Sequence, residues 1–121
     1  QLLSYILNLK LRWPMTAHNL VINGSSNTVY GGDKNDSLAL ANANNVNNKL
    51  YGGAGDDTFT SVVSDSYNSF YGGDGDDTFN VYGNTGVFAE AGNDVINLNY
   101  NMEPLNNNLH LPDLTSYYYI S

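Results

Sequence analysis

The chain has 121 residues, with 12 acidic against 4 basic side chains and a formal net charge of −8 at neutral pH. This length predicts one small domain. The basic residues Lys10, Arg12, Lys34 and Lys49 form no patch, which argues against a protein that binds nucleic acid. Because the chain has no cysteine, disulfides and thiolate metal sites are excluded.

In the first segment, residues 1–19, the apolar residues from Leu2 to Trp13 follow no clean period. Its apolar residues fit a short helix or an alternating strand, and Pro14 ends either one. Lys10 interrupts the apolar run well short of a membrane span, and the run lacks the basic start of a signal peptide. We expect this segment to cap the open end of a repeat domain. Gln1 at the first position indicates a processed chain or a piece of a longer one.

The central region contains four copies of one glycine-rich turn, each preceded by an aromatic residue and followed by a short apolar alternation. In one copy Lys34 replaces the third glycine, and in another Ala89 and Glu90 replace the first two. Nine of the 12 acidic residues lie in these turns, where they would repel one another unless a cation sits among them. The copies are residues 31–39, 52–60, 72–80 and 89–97.

The spacing around the turns separates a constant side of each repeat from a variable one. The interval across every turn is nine residues, as from Leu50 to Phe59, whereas the return intervals are 12, 11 and 8 residues. A turn that presents ligands to its neighbours cannot change length, but a surface loop can. We therefore expect the nine-residue side to be the working side.

Each repeat also predicts two short strands with alternating inward apolar and outward polar residues. The repeats are spaced by 21, 20 and 17 residues, too short for a crossover helix and two strands. The pattern therefore predicts parallel sheets without helices, a β-solenoid. The expected strand centres are Val29, Leu50, Phe70 and Val87 on one side, and Leu38–Leu40, Phe59, Phe79–Val81 and Ile96–Leu98 on the other.

Two further columns recur at constant positions. Asn27, Asn48 and Asn68 stand two residues before the inward position, where they fit either a stacked amide ladder or ordinary turn polarity. An aromatic residue stands next to the glycines of each turn, and a register-holding ladder is favoured over a platform for sugars. The aromatic column comprises Tyr30, Tyr51, Tyr71 and Phe88.

The nine-residue pattern Gly-Gly-x-Gly-x-Asp-x-apolar-x resembles the repeat of the RTX family, whose members bind calcium in a parallel β-roll. The resemblance implies an all-β fold, a parallel β-roll with about four calcium-binding turns on one side and irregular caps at both ends. It divides the chain into an N-terminal cap (1–19), a β-roll (20–100) and a C-terminal cap or tail (101–121). Family members often carry a C-terminal secretion signal, but nothing in this tail is diagnostic of one.

Glycines turn the chain through positive φ and leave carbonyls free, and calcium takes about six to eight such oxygen ligands. The resemblance places an ion between successive turns, which implies about three ions and a net charge reduced from −8 to −2. The implied carboxylate ligands are Asp36, Asp57, Asp77 and Asp94. The implied carbonyls are those of Gly31, Asp33, Gly52, Ala54, Gly72 and Asp74. The remaining site residues are Asn35, Gly53, Gly55, Asp56, Gly73, Gly75, Asp76, Ala89, Ala91 and Asn93.

The middle site, between the turns at 52–57 and 72–77, has both turns intact, whereas each outer site has one altered turn. Lys34 adds a cation near the first site. Ala89 and Glu90 would need glycine-like torsions, so we expect that turn to distort. Glu90 also offers an oxygen of its own. The opposite turns lack the glycine pair and should bind no ion.

These patterns predict a calcium-binding module, without catalytic activity, that folds outside the cell and serves a structural or secretion role in a secreted or surface protein. The alternatives are a subunit that self-associates through its ends and an accessory module that binds polysaccharide. His18 and His110 fit no zinc-protease motif, and no G-x-S-x-G occurs. An EF-hand starting at Asp74 would need glutamate where Thr85 stands.

Overall fold

The computed structural model describes residues 2–3, 10–11, 17–41, 44–62, 66–82, 84–99, 109–110 and 116–120. Within these ranges every regular element is a β-strand, and no helix is present that could cross a membrane. The strands are β1 (Leu2–Leu3), β2 (Lys10–Leu11), β3 (Asn19–Ile22), β4 (Thr28–Gly32), β5 (Ser37–Leu40), β6 (Lys49–Gly53), β7 (Thr58–Thr60), β8 (Ser66–Gly73), β9 (Thr78–Val81), β10 (Asn84–Phe88), β11 (Val95–Asn99), β12 (Leu109–His110) and β13 (Ser116–Ile120).

The strands form two parallel sheets between which the chain alternates. One sheet has the order β1-β3-β5-β7-β9-β11-β13, and the other has the order β2-β4-β6-β8-β10-β12. Each coil therefore gives one strand to each sheet and lies directly on the coil before it. This confirms the predicted all-β fold, a parallel β-solenoid of about four turns.

The register places equivalent residues of successive repeats opposite one another. Leu50 pairs with Val29 on one side and with Phe70 on the other. In the second sheet Phe59 lies between Leu38 and Phe79. Because like residues are stacked, every position of the repeat becomes a column along the solenoid.

The core consists of the inward-facing residues of both sheets. The rings of Phe59 and Phe79 stack within one sheet at 4.9 Å, and Phe59 reaches Phe70 of the other sheet at 5.2 Å. Burying a side chain of this size contributes about 1.5–3 kcal/mol. The buried apolar residues, all at most 2% exposed, are Leu20, Ile22, Val29, Leu38, Leu40, Leu50, Phe59, Phe70, Phe79, Val81, Val87, Ala89, Ile96 and Leu98.

The terminal segments add strands to both sheets. In the N-terminal segment, β1 pairs with β3 and β2 pairs with β4. In the C-terminal segment, β12 pairs with β10 and β13 pairs with β11. The ends of the solenoid are therefore built from the same parallel pairing as its middle, while the boundaries of the two caps stay a prediction.

The asparagine column on the variable side is a hydrogen-bonded amide ladder. The Asn27 side chain donates to Asn48 Oδ1 at 3.0 Å, and the Asn48 side chain donates to Asn68 Oδ1 at 3.0 Å. All three residues are about 1% exposed. Of the two explanations that the sequence left open, the structure selects the ladder.

The aromatic column next to the glycines is a continuous stack. Tyr51 lies 4.9 Å from Tyr30 and 4.4 Å from Tyr71, and Tyr71 lies 4.5 Å from Phe88, with interplanar angles of 10–13°. Such offset ring pairs contribute about 0.5–1.5 kcal/mol each beyond their burial. The column therefore favours the register in which the turns coincide.

The variable side repeats a left-handed residue that the sequence analysis did not identify. Ser26, Asn47 and Tyr67 have φ values of 62°, 59° and 57°, and each immediately precedes an asparagine of the ladder. This conformation is unfavourable for most residues other than glycine and asparagine. It recurs because it turns the chain into the ladder at the same point of each coil.

Candidate metal centre

The aspartates at the sixth position of the four turns form one buried column on the constant side of the solenoid. Each lies directly before a strand of the larger sheet, so strand register determines where its carboxylate stands. None is more than 2% exposed, although each bears a carboxylate. The members are Asp36, Asp57, Asp77 and Asp94.

One oxygen of each carboxylate is used to join successive turns. The backbone N–H of Asp36 donates to Asp57 Oδ1 at 2.8 Å, and the N–H of Asp57 donates to Asp77 Oδ1 at 2.8 Å. The N–H of Asp77 donates to Asp94 Oδ1 at 2.9 Å. These bonds hold each carboxylate in one orientation and leave its second oxygen for another partner.

The second oxygen of these carboxylates is buried and accepts no hydrogen bond. This holds for Oδ2 of Asp36, Asp57 and Asp77. A buried carboxylate oxygen without a donor is strongly unfavourable unless a cation or a proton compensates it. The column is therefore incomplete as a set of protein groups alone.

A carbonyl of the next turn approaches the same place as each of these oxygens. A Cβ atom added to Gly52 would meet Asp57 Oδ2 and would lie 2.8 Å from the Gly72 carbonyl oxygen. A Cβ atom added to Gly31 would likewise meet Asp36 Oδ2 and the Gly52 carbonyl. Two acceptors with no hydrogen between them fit a hard cation, which prefers carboxylate and carbonyl oxygens.

The glycine pair has two different roles, which corrects the expectation that both of its members are needed for positive φ. The second glycines have positive φ, as in Gly53 (94°) and Gly73 (86°). The first glycines are outside the left-handed region and are required because their missing Cβ leaves room for the two oxygens. The third glycines, Gly55 (97°) and Gly75 (109°), again need positive φ.

The second glycines also use their carbonyls for stacking. The Gly53 carbonyl accepts a hydrogen bond from the N–H of Asp74 at 3.0 Å, and the Gly73 carbonyl accepts one from the N–H of Ala91 at 3.1 Å. The Gly32 carbonyl accepts one from the N–H of Ala54 at 3.0 Å. Backbone carbonyls that hold a neighbouring turn are less suited to an ion than the first-glycine carbonyls.

The fifth-position residues form a second, exposed column beside the buried one. Asn35 Oδ1 accepts the N–H of Asp56 at 2.7 Å, and Asp56 Oδ1 accepts the N–H of Asp76 at 2.8 Å. Asp76 Oδ1 accepts the N–H of Asn93 at 2.9 Å. The side chains of this column therefore bond to the following turn, whereas those of the buried column bond to the preceding turn.

The two altered turns keep the general path of the others. Glu90 has the expected glycine-like torsion, with φ of 67°, but the same expectation is wrong for Ala89, which lies outside the left-handed region. Glu90 Oε1 accepts the N–H of Gly73 at 3.0 Å, so it contributes an oxygen to the backbone of the preceding turn. Lys34 is exposed and also has no positive φ.

Burial makes the charged form of the aspartate column costly. It raises the pKa of Asp57 to about 7 and that of Asp77 to about 8, against the lowering effect of their backbone hydrogen bonds. Burial also raises the pKa of Asp36. Neighbouring carboxylates of the column add to the effect at Asp57 and Asp77. At neutral pH the column therefore favours either bound protons or a bound cation.

The ligands of such a cation would come from both side chains and backbone. In the described part of the chain, no group of three acidic or histidine side chains converges on one point. Each gap between turns instead combines a carboxylate oxygen of one turn with a backbone carbonyl of the next. This donor set fits calcium better than zinc, which prefers nitrogen and sulfur ligands.

Comparison with known families agrees with this geometry. A family model described as the RTX calcium-binding nonapeptide repeat (4 copies) matches residues 22–46, 40–61 and 62–86, which together make up more than half of the chain. No curated protein and no solved structure gives a significant match. The fourth turn, residues 89–97, lies beyond the matched residues, although Asp94 continues the hydrogen-bonded column there.

Proposed function

Because the chain belongs to the family of RTX calcium-binding nonapeptide repeats, we propose that its constant side binds about three calcium ions, one in each gap between successive turns. The observation that carries this proposal is the uncompensated Oδ2 atom of Asp36, Asp57 and Asp77, each of which lies near a carbonyl of the next turn. Calcium supplies positive charge to these oxygens and requires no strict geometry.

Each gap has its own pair of residues to hold an ion. The first gap has Asp36 with Gly52, and the middle gap has Asp57 with Gly72. In the third gap, a Cβ atom added to Gly72 would meet Asp77 Oδ2 and the Ala89 carbonyl. The turn carbonyls of Asp33, Ala54 and Asp74 are the candidates for further ligands.

Calcium bound in this way would be coupled to folding. An ion that binds only the folded chain stabilises it by about 1.4 kcal/mol when its concentration is tenfold above the dissociation constant. Three such ions contribute about 4 kcal/mol, close to the whole stability of a small domain. The module would therefore order where calcium is abundant and loosen where it is scarce.

RTX repeats occur in secreted proteins, and a calcium-dependent fold suits the outside of the cell. We therefore assign the chain an extracellular or surface location and a structural or secretion role. The β-roll of this family is a structural, non-catalytic module. The acidic residues here lie on a regular edge and are accounted for as ligands, so we assign the chain no catalytic activity.

Circular dichroism in calcium and in a calcium chelator tests this function. We expect the strand signal and the thermal transition to appear in millimolar calcium and to weaken strongly in chelator. Magnesium is the matched control ion, since its demand for compact octahedral coordination should make it a poor substitute. An identical strand signal and transition in chelator would contradict calcium-coupled folding.

Self-association through the ends of the solenoid is the first alternative function. It is supported by the position of β1 and β13 at the two ends of the larger sheet, where no further strand pairs with them among the described residues, since a strand edge of this kind can pair with another chain. Light scattering that reports a larger mass in calcium would support it. A monomer mass at all concentrations would exclude it.

Binding of polysaccharide is the second alternative. A groove of about 350 Å³ beside the aromatic column is lined by Tyr30, Gly32, Asp33, Tyr51 and Gly53. Tyr30 and Tyr71 cover both faces of the Tyr51 ring, so only its edge remains for a sugar. A glycan array in calcium tests this option, and no binding to any polysaccharide would remove it.

A further inference from the structure

The buried aspartate column continues for one more coil toward the N terminus, where its residue is a histidine. Asn19 pairs with Ser37, so His18 stands opposite Asp36. The backbone N–H of His18 donates to Asp36 Oδ1 at 2.7 Å, as the N–H of Asp36 does to Asp57 Oδ1. His18 is only 5% exposed. By position and by backbone bonding, His18 is therefore a member of the column.

The interval between β2 and β3, which His18 precedes, also has the length of the calcium turns. Leu11 pairs with Val29 and Asn19 pairs with Ser37, and both pairs have an offset of 18 residues. The interval from Leu11 to Leu20 is therefore nine residues, as in the other four turns. The segment 12–17, however, contains no glycine and no acidic residue.

The chemistry of the gap beyond this turn differs from that of the others. In the gaps with aspartate, Oδ2 of Asp36 or Asp57 and the next first-glycine carbonyl are both acceptors, so a cation is needed between them. His18 Nδ1 instead lies 2.9 Å from the carbonyl oxygen of Gly31, the first glycine of the next turn. A ring N–H at this distance donates directly to the carbonyl.

We propose that His18 terminates the calcium column by donating its Nδ1–H to the carbonyl of Gly31, so that no ion binds between His18 and the turn at 31–36. This inference rests on the proposed calcium function and specifies where the ions stop. A neutral ring with its hydrogen on Nδ1 is sufficient, so no charge on His18 is required. His18 is thus a positioning residue that sets the number of ions.

Nitrogen NMR of the imidazole rings tests the hydrogen bond in the wild-type chain with calcium bound. We expect the Nδ1 signal of His18 to show a bonded hydrogen. His110 is the only other histidine, so a His110→Gln variant assigns the signals. A His18 ring with a bare Nδ1 would overturn the inference, because two acceptors would then face each other.

Calorimetric calcium stoichiometry tests the consequence for the metal. His18→Asp recreates the acceptor pair with the Gly31 carbonyl, and we expect it to bind one more ion per chain than the wild type. His18→Asn, which keeps a neutral donor, is the matched control and should leave the number of ions unchanged.

The two ways of failing can be told apart. If the wild type binds calcium and His18→Asp binds the same number of ions, His18 does not end the column. If the wild type binds no calcium, the proposed function itself is wrong, and the inference that rests on it falls too. Should His18→Asp not fold, the ring measurement on the wild type still decides.

Discussion

Both sides of each coil stack buried polar side chains on those of the next coil. The two sides satisfy the hydrogen-bonding groups of these side chains with different chemistry. On the variable side, Asn48 Oδ1 accepts hydrogen bonds from the backbone N–H and the side chain of Asn27, while its own amide donates to Asn68 Oδ1 and the Gly24 carbonyl. On the constant side, Asp57 Oδ1 accepts from Asp36, but Asp57 Oδ2 has no partner. An amide carries donor and acceptor together, so its ladder is self-sufficient, whereas a carboxylate is only an acceptor.

This difference explains why one side has a constant length and the other does not. The asparagine ladder is completed by amides and by backbone carbonyls of its own side, such as that of Gly24, without a cation between them, so the return intervals can vary between 8 and 12 residues. The aspartate column also needs a carbonyl of the next turn at a defined place, which a change in turn length would displace. Dependence on a cation is therefore localised on one side of the solenoid.

Asn48→Asp should have the largest effect, because it brings the chemistry of the constant side into the ladder. The new carboxylate would lose both donor bonds and would be buried without a cation. We expect the free energy of unfolding to fall by about 3 kcal/mol at neutral pH, the cost of an unpaired buried charge. Chemical denaturation in calcium measures it. An exposed neighbour, Asn47→Asp, is the control, and equal effects at both positions would contradict the ladder.

Gly52→Ala should disrupt the middle gap by filling it. The added Cβ would meet Asp57 Oδ2 and lie 2.8 Å from the Gly72 carbonyl. We expect a loss of about 2 kcal/mol in calcium, typical of overpacking, and one fewer bound ion. Gly86→Ala is the matched control, because its Cβ would have no contact closer than 3.7 Å. If Gly52→Ala bound as many calcium ions as the wild type, the missing Cβ of Gly52 would not be what leaves room for the middle ion.

The effect of Asp57→Asn on the free energy of unfolding should have opposite signs in chelator and in calcium. In chelator the variant lacks a desolvated carboxylate and should be more stable than the wild type by about 1 kcal/mol. At calcium a hundredfold above the dissociation constant it should be less stable by about 1.7 kcal/mol, because the missing middle ion, which contributes about 2.7 kcal/mol, outweighs that gain. Thermal melting with and without chelator measures both, with the exposed Asp56→Asn as the control. A variant less stable in both conditions would refute this account of the column.

The pH dependence of the calcium-free chain should show whether the aspartate column binds protons when no cation is present. Burial raises the folded pKa of Asp57 to about 7 and of Asp77 to about 8, above the unfolded value near 4. The folded state thus binds more protons, and its stability is fully present below about pH 4 and lost as pH rises through 7 to 8. In calcium-free buffer we expect the melting temperature to fall from pH 5 to pH 8. A melting temperature that rises over this range would be inconsistent with protonated carboxylates.

Much of the fold and of the site could be predicted because each repeat stacks on a copy of itself. The alternation around Leu50 and Phe59 assigned the inward residues, and the nine-residue interval identified the constant side. In a parallel stack, equivalent positions become columns without further information, so Asp57 could be assigned to a column with its counterparts. The same reasoning predicted the aromatic stack of Tyr51.

Other features depended on which atoms face each other across a gap. Spacing alone could not separate an amide ladder from turn polarity at Asn48, because both have the same period. The sequence pattern predicted positive φ for the first glycine of each turn. The structure shows instead that Gly52 is required because its missing side chain leaves space for the oxygens of Asp57 and Gly72. Spacing also missed His18, because the residues before it, 12–17, include no glycine and no acidic residue to mark a repeat.

The amino-acid sequence by itself determined the parallel solenoid, its inward residues and the columns of aspartate and aromatic side chains. These follow from periodicity, which the chain carries locally. Only the tertiary structure decided which columns complete their own hydrogen bonds and which leave an oxygen uncompensated. The physical reason is that donors and acceptors are matched between coils, across gaps whose geometry arises only when the coils are stacked.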